Sequence, residues 1–209
     1  PNESRSEVDS LSRMNPPNLK RLSQLKKVLS PGEVFLKDSL LQKYSGDKWF
    51  ASHKPDAVVL PRTTQSVSAL LRFANRHSIP VTARGAGYGY VGGCVPIRGG
   101  IVLSLERMNS IREINAEDFV AVVQPGVITE TIQIEAEQQK LFYPPDPASK
   151  ADSSIGGNIA TNAGGPRCLK YGVTRDYVLG LEVVLANGTV CRVGGRTHKN
   201  KTGFEFARF

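Results

Sequence analysis

Arg84-Gly85-Ala86-Gly87-Tyr88-Gly89-Tyr90-Val91-Gly92-Gly93 holds glycine at five of its ten positions and follows the apolar run Ile79-Pro80-Val81-Thr82. A helix or strand interior does not favour so many glycines, because each costs backbone entropy and packs no side chain. The composition suits a loop whose backbone approaches something closely. Turn-like glycines can aim successive N–H groups into one concavity, which attracts an anion. Arg84 adds a fixed positive charge and a bidentate donor for phosphate. A tight connection between two strands would use the same residues.

Two phosphate motifs are tested against this loop. Gly87, Gly89 and Gly92 form a literal G-x-G-x-x-G, and Glu106 follows at the distance where a Rossmann fold keeps its ribose-binding acid. That fingerprint must open a helix. Here it runs into Gly93-Cys94-Val95-Pro96-Ile97-Arg98-Gly99-Gly100 and then the strand-like Ile101–Leu105. Three glycines and a proline do not form a helix interior, so the Rossmann reading fails. The G-x-x-x-x-G-K-[ST] pattern is absent from the chain.

A second glycine-rich stretch, Ser153-Ser154-Ile155-Gly156-Gly157-Asn158-Ile159-Ala160-Thr161-Asn162-Ala163-Gly164-Gly165, comes shortly after Tyr143-Pro144-Pro145-Asp146-Pro147. Small side chains there would let backbone lie flat against a large planar ligand. Asn158 and Asn162 bring amides that both donate and accept. If the stretch is helical, the two share a face, being four residues apart. They could equally be helix caps.

At these residues the chain resembles the FAD-linked oxidases of the vanillyl-alcohol oxidase / para-cresol methylhydroxylase type. Within that family it is most similar to the glycolate oxidase and D-lactate dehydrogenase members. The matching features run in order: Tyr44-Ser45-Gly46-Asp47, Lys54–Pro61, Arg84–Gly87, Pro144–Pro147, Ile155–Asn158, Asn162–Gly165, Lys170-Tyr171-Gly172 and Arg196–Gly203. Singly they are weak; their order and spacing carry the resemblance.

The resemblance implies an α+β fold, a two-lobed FAD-binding domain of the para-cresol methylhydroxylase type, incomplete at the C-terminus. It implies that Arg84, Gly85, Ala86, Gly87, Tyr88 and Gly89 wrap the FAD pyrophosphate. Pro145, Asp146, Pro147, Ser154, Gly156, Gly157 and Asn158 would line the dinucleotide and flavin. Asn162, Gly164, Gly165, Tyr171 and Gly172 complete the implied cofactor set. Some members of the wider family attach FAD through a histidine near the pyrophosphate loop. No histidine lies between His77 and His198, so non-covalent FAD is expected.

The reaction implied is hydride transfer from a 2-hydroxy acid such as glycolate or D-lactate to flavin N5. In the family, the substrate-binding and catalytic groups lie in sequence beyond the position matching Phe209. The catalytic residues are therefore unassigned, and residues 1–209 alone are expected to be inactive. A non-catalytic nucleotide-binding subunit or module is the alternative.

Composition fits a soluble globular domain: 40% hydrophobic and 22% charged residues are ordinary values. No apolar run approaches the roughly 18 residues of a membrane span. Cys94, Cys168 and Cys191 are odd in number and lack a C-x-x-C spacing, which points to a reducing, cytoplasmic setting; the resemblance leaves room for partner subunits or an electron acceptor, and for membrane association through partners. Neither they nor His53, His77 and His198 spell a metal site. The net charge of +8 is dispersed. It suits an anionic cofactor and an acidic substrate as well as nucleic acid, for which no motif is present.

Residues 1–17 read as a flexible tail, 18–50 as an N-terminal helical segment and 51–209 as the FAD-binding domain. Leu19, Leu22, Leu25, Val28 and Leu29 recur at helical spacing, stopped by Pro31-Gly32. Val34–Tyr44 reads as a short helix plus a connection. Ala57–Leu60, a helix capped by Thr63 or Thr64, and Ile79–Thr82 form a strand–helix–strand unit, a right-handed parallel crossover. Strands at Ile101–Leu105, Ile111–Asn115, Phe119–Val123, Leu179–Leu185 and Thr189–Val193, with a helix from Thr129 to about Gln139, give two sheet regions.

Overall fold

The structure, a computed structural model, describes residues 19–199 and 204–208. The tail expected over 1–17 lies outside the described residues. The chain divides into two compact units of interleaved sequence.

The first unit takes the chain as far as Arg84, then Gly89–Ser104 and Ala186–Gly188. Its elements are α1 (Leu19–Val28), β1 (Val34–Phe35), α2 (Asp38–Lys43), β2 (Ala57–Val59), α3 (Thr64–Arg76), β3 (Val81–Arg84) and β4 (Ile101–Ser104). Val34 and Phe35 pair antiparallel with Val59 and Val58, so part of the stretch read as helix plus connection is an edge strand. Two residues are too few to show a period; partner backbone, not propensity, makes this strand.

The sheet order is β1-β2-β4-β3. β2 and β3 are parallel, as the crossover requires, but β4 lies between them and pairs with both. Every residue of β2 and β4 is buried, as expected of parallel strands covered on both faces. Val58, Leu60 and Val102 join Leu41 and Tyr44 in the core.

α3 starts where Thr63 Oγ1 accepts from Ser66 N at 3.1 Å, an N-cap that satisfies one orphan amide. It buries Val67, Leu70, Phe73 and Ala74, the apolar positions at helical spacing. The buried Glu33 carboxylate is not a stray charge: it accepts from Ser30 N and Arg62 N at 3.1 and 3.0 Å.

The second unit comprises Gly85–Tyr88, Leu105–Leu185 and Thr189–Phe209. It holds the hairpin β5 (Ile111–Asn115) with β6 (Val120–Val123), α4 (Thr129–Gln138), α5 (Ile155–Thr161), α6 (Cys168–Tyr171), a 3-10 turn at Thr174–Tyr177, and the hairpin β7 (Gly180–Val184) with β8 (Val190–Gly194). Among the described residues the two hairpins are separate two-stranded sheets, so there is one four-stranded sheet and two ribbons rather than two sheet regions. At the β5–β6 turn, Asn115 Oδ1 accepts from Glu117 N and Asp118 N. Val127, Ile132 and Ile155 form the core, with Ile111, Val123, Tyr143 and Ile159 packed on it.

Candidate cofactor site

Gly85, the residue after β3, meets the start of α5. A Cβ built on Gly85 would stand 2.6 Å from Ser154 Oγ and 3.4 Å from Gly157 Cα, so a side chain here would displace the Ser154 hydroxyl. Ser154 is the N-cap residue of α5, yet its hydroxyl makes no cap hydrogen bond. The Ser153 and Ser154 hydroxyls are buried and without a partner. An unpaired buried hydroxyl costs about 1–3 kcal/mol, which is a reason to look for a ligand.

The first two amides of α5 are already used: Ile155 N donates to Val127 O at 2.8 Å and Gly156 N to Pro125 O at 2.9 Å. Gly156 therefore serves packing against Pro125, whose Cβ stands 2.7 Å from where a side chain would begin. Beside Ser154 opens a cleft of about 240 Å³ whose walls include Ala86, Glu106, Asn109, Val127 and Thr131. Of these, only Ala86 belongs with Ser154 to the sequence-derived set. Glu106 is legible in the sequence through its Rossmann-like spacing, although that motif fails; Asn109 and Thr131 give no signal there.

Arg84 does not present its guanidinium as the sequence suggested. Nη1 donates to Gly46 O and lies 3.3 Å from Cys94 Sγ, and the group sits 5.7 Å from the Tyr44 ring centroid. The cation holds the first unit's loop together. Asp47 does likewise, accepting from Gly92 N at 2.8 Å. So Tyr44-Ser45-Gly46-Asp47, a motif without an assigned role, anchors Arg84 and the far end of the glycine loop. Burial pushes the Cys94 thiol above its ordinary value, against the neighbouring Arg84 charge. Gly89 O accepts from Lys48 N. Tyr88, in the second unit, is held by the Asp152 carboxylate, whose hydrogen bond raises the phenol's pKa.

The remaining expected residues make a scaffold around α5. Gln133 Nε2 donates to Pro145 O at 2.8 Å, and Lys150 N to Pro147 O at 2.8 Å. Asp146 receives Arg167 N at Oδ1 and pairs with Arg167 Nε at 3.2 Å. A Cβ on Gly165 would lie 2.2 Å from Asp146 O. Asn158 is buried, with its amide donating to Thr129 Oγ1. Asn162 is not on the helix face with it: it is the left-handed C-cap, φ 49°, and its Oδ1 accepts from Arg175 N at 3.0 Å. Gly164 makes ordinary contacts with Val173 and Cys168, and Gly172 packs on the Asp176 carboxylate. Tyr171, partly exposed, meets Phe142 edge-on at 5.7 Å. Tyr143 stands edge-on to Tyr177 at 5.8 Å, and burial raises its phenol to about 12.

A close glycine approach, unsatisfied buried hydroxyls and an adjoining cleft mark a candidate ligand site in an α+β domain. The chain belongs to the FAD binding domain family, whose model matches residues 55–194. It is 51% identical over 154 residues to glycolate oxidase subunit GlcD of Bacillus subtilis (strain 168), covering 74% of this chain and 33% of that protein. It is 39% identical to D-lactate dehydrogenase of Anaerostipes hadrus, covering 85% and 38%. A crystal structure of p-cresol methylhydroxylase with substrate bound superposes with a TM-score of 0.72 at 29% identity, over 88% of this chain and 37% of that one. The chain thus spans between a third and two fifths of these relatives. The family resemblance, the α+β FAD-binding fold of the para-cresol methylhydroxylase type and FAD as cofactor are borne out.

Proposed function

We propose that this chain is the FAD-holding part of an oxidoreductase acting on a 2-hydroxy acid such as glycolate or D-lactate, with FAD held non-covalently. The observation that carries the reading is the Ser154 hydroxyl, buried and unpartnered beside Gly85. The residues present fit the cofactor: a close backbone approach, an orphan hydroxyl, and a cleft alongside.

The chemistry supplied by bound FAD is acceptance of a hydride at N5 from the carbinol carbon of the acid. The chain's own residues bind and orient. Ser154 would donate to a cofactor oxygen that the closely approaching Gly85 backbone leaves room for. Pro145 and Asp146 are braced by Gln133 and Arg167, and the Asp146 backbone packs on Gly165. No residue here is assigned a proton transfer, so the acid–base groups of the reaction are left unnamed. The names of the relatives, an oxidase subunit and a dehydrogenase of 2-hydroxy acids, support the substrate class.

FAD titration followed by quenching of flavin fluorescence tests the cradle. We expect saturable uptake by the unmodified protein, and weakening of about tenfold or more in Ser154→Ala, the loss of one buried hydrogen bond without loss of volume. Equal affinity in the two proteins would overturn it.

A further inference from the structure

We infer that two adjacent loop tips in the first unit, Trp49-Phe50 and Tyr90-Val91, form a docking surface for an anionic lipid bilayer, into whose interface these side chains insert. The four are 58%, 84%, 60% and 89% exposed, in that order. A single exposed apolar side chain is ordinary; these are gathered. The Trp49 ring stands 5.6 Å from Phe50 and 5.9 Å from Tyr90, centroid to centroid. Clustered exposed apolar groups mark a surface that something covers.

The backbone beneath the tips is pinned. The first loop closes where Gly46 bridges Ser52. There the Ser45 and Ser52 hydroxyls lie 2.9 Å apart, and His53 N donates to Ser45 O at 2.9 Å. Inside the loop, Trp49 N donates to Asp47 Oδ1 at 2.9 Å. The second loop is fastened beside the first: Lys48 N donates to Gly89 O at 3.1 Å, and Gly92 N to Asp47 Oδ2 at 2.8 Å. Tips ordered in advance lose little entropy when they bind.

Charge and chemistry select the occupant. The chain carries a net charge of +8. The segments bearing the tips share the excess: residues 43–54 and 89–100 hold Lys43, Lys48, Lys54 and Arg98 against one acid, Asp47. Lys54 pairs with Asp38 at 2.7 Å, and the two Asp47 oxygens receive the Trp49 and Gly92 amides. The net charge stands whatever pairs form, and it draws the protein to anionic headgroups. Trp and Tyr, apolar with one polar edge, favour the membrane–water interface. Phe50 and Val91, nearly whole in water, need a phase that closes around them, as the headgroup–acyl boundary does. One attraction alone gives marginal attachment; apolar insertion joined to basic charge gives a stable one.

Trp49 is the chain's one tryptophan, so its fluorescence reports on this surface directly. The probe is a vesicle of phosphatidylcholine and phosphatidylglycerol in equal parts, compared with phosphatidylcholine alone. On the mixed vesicles we expect Trp49 emission to shift to the blue and to be quenched by acyl-brominated lipid. Partitioning onto phosphatidylcholine alone should be about tenfold or more weaker, and added salt should weaken binding to the mixed vesicles. Phe50→Ser with Val91→Ser should lower partitioning onto the mixed vesicles about tenfold or more, at an unchanged melting temperature. No shift or quenching, equal partitioning onto both vesicles, or a folded double variant that partitions as before would overturn the assignment. So would a blue shift without lipid that grows with protein concentration alongside dimers in sedimentation, which would give the surface to a second copy. If the double variant misfolds, brominated-lipid quenching and lipid preference in the unmodified protein decide.

Discussion

Asn158 Nδ2 donates to Thr129 Oγ1, joining α5 to α4 through two side chains that are 4% and 0% exposed. The residue that sequence placed against the cofactor thus ties α5 to α4. Thr129 Oγ1 in turn donates to Ser153 O at 3.2 Å, next to the Ser154 hydroxyl. We expect Asn158→Ala to destabilise the fold by about 1–3 kcal/mol, the cost of unpairing buried polar groups. Chemical denaturation with and without FAD checks this. Full stability with lost FAD binding would instead make Asn158 a direct ligand.

Two glycines separate packing from binding. At Gly85 the obstructing atom is the terminal hydroxyl of the Ser154 side chain, whereas at Gly165 it is the Asp146 carbonyl of the backbone. Gly165→Ala should therefore cost about 1–3 kcal/mol or more by overpacking. Gly85→Ala should cost less, because the hydroxyl can rotate, yet weaken FAD. Thermal melts and FAD titrations on both variants decide. Equal melting temperatures for the two would contradict the distinction.

The buried Tyr143 phenol, raised from 10 to about 12, links stability to alkaline pH. Its neutral form is favoured by the fold, so the contribution is fully present below pH 10 and disappears as pH rises towards 12. Tyrosinate absorbance should show a late-titrating component that vanishes in Tyr143→Phe. The variant should also lose less stability over that interval than the unmodified protein.

Flavin should be released entirely on acid precipitation. No imidazole lies in the stretch 84–93. His77 packs on Phe73 at 4.5 Å, and His198 lies 3.0 Å from Asp118 O. Flavin fluorescence remaining with the precipitate would show a covalent link.

A dye-coupled assay with glycolate and D-lactate checks the expectation that residues 1–209 loaded with FAD are inactive. The protein should nonetheless melt at a higher temperature with FAD, by about 2.7 kcal/mol at a hundredfold excess over Kd. Dye-coupled assays above the rate of free flavin would sink the inactive reading; a melting temperature indifferent to FAD would sink the binding one.

Local chemistry was legible along the chain. Glycine density marked Arg84–Gly93 and Ser153–Gly165 as backbone in close approach, because few side chains fit there. Period and punctuation located α1, α3, α4 and the strands of both hairpins, because amphipathic faces and Thr63 as a cap act within a few residues. How distant pieces meet was not legible. Folding set β4 between β2 and β3, made a strand of Val34-Phe35, turned Arg84 onto Gly46 and Cys94, and brought Glu106 beside Ala86 and Ser154. Those outcomes depend on which backbones pair and which way a side chain leaves its element. Both are settled by packing between residues far apart in the chain, where no local periodicity reaches.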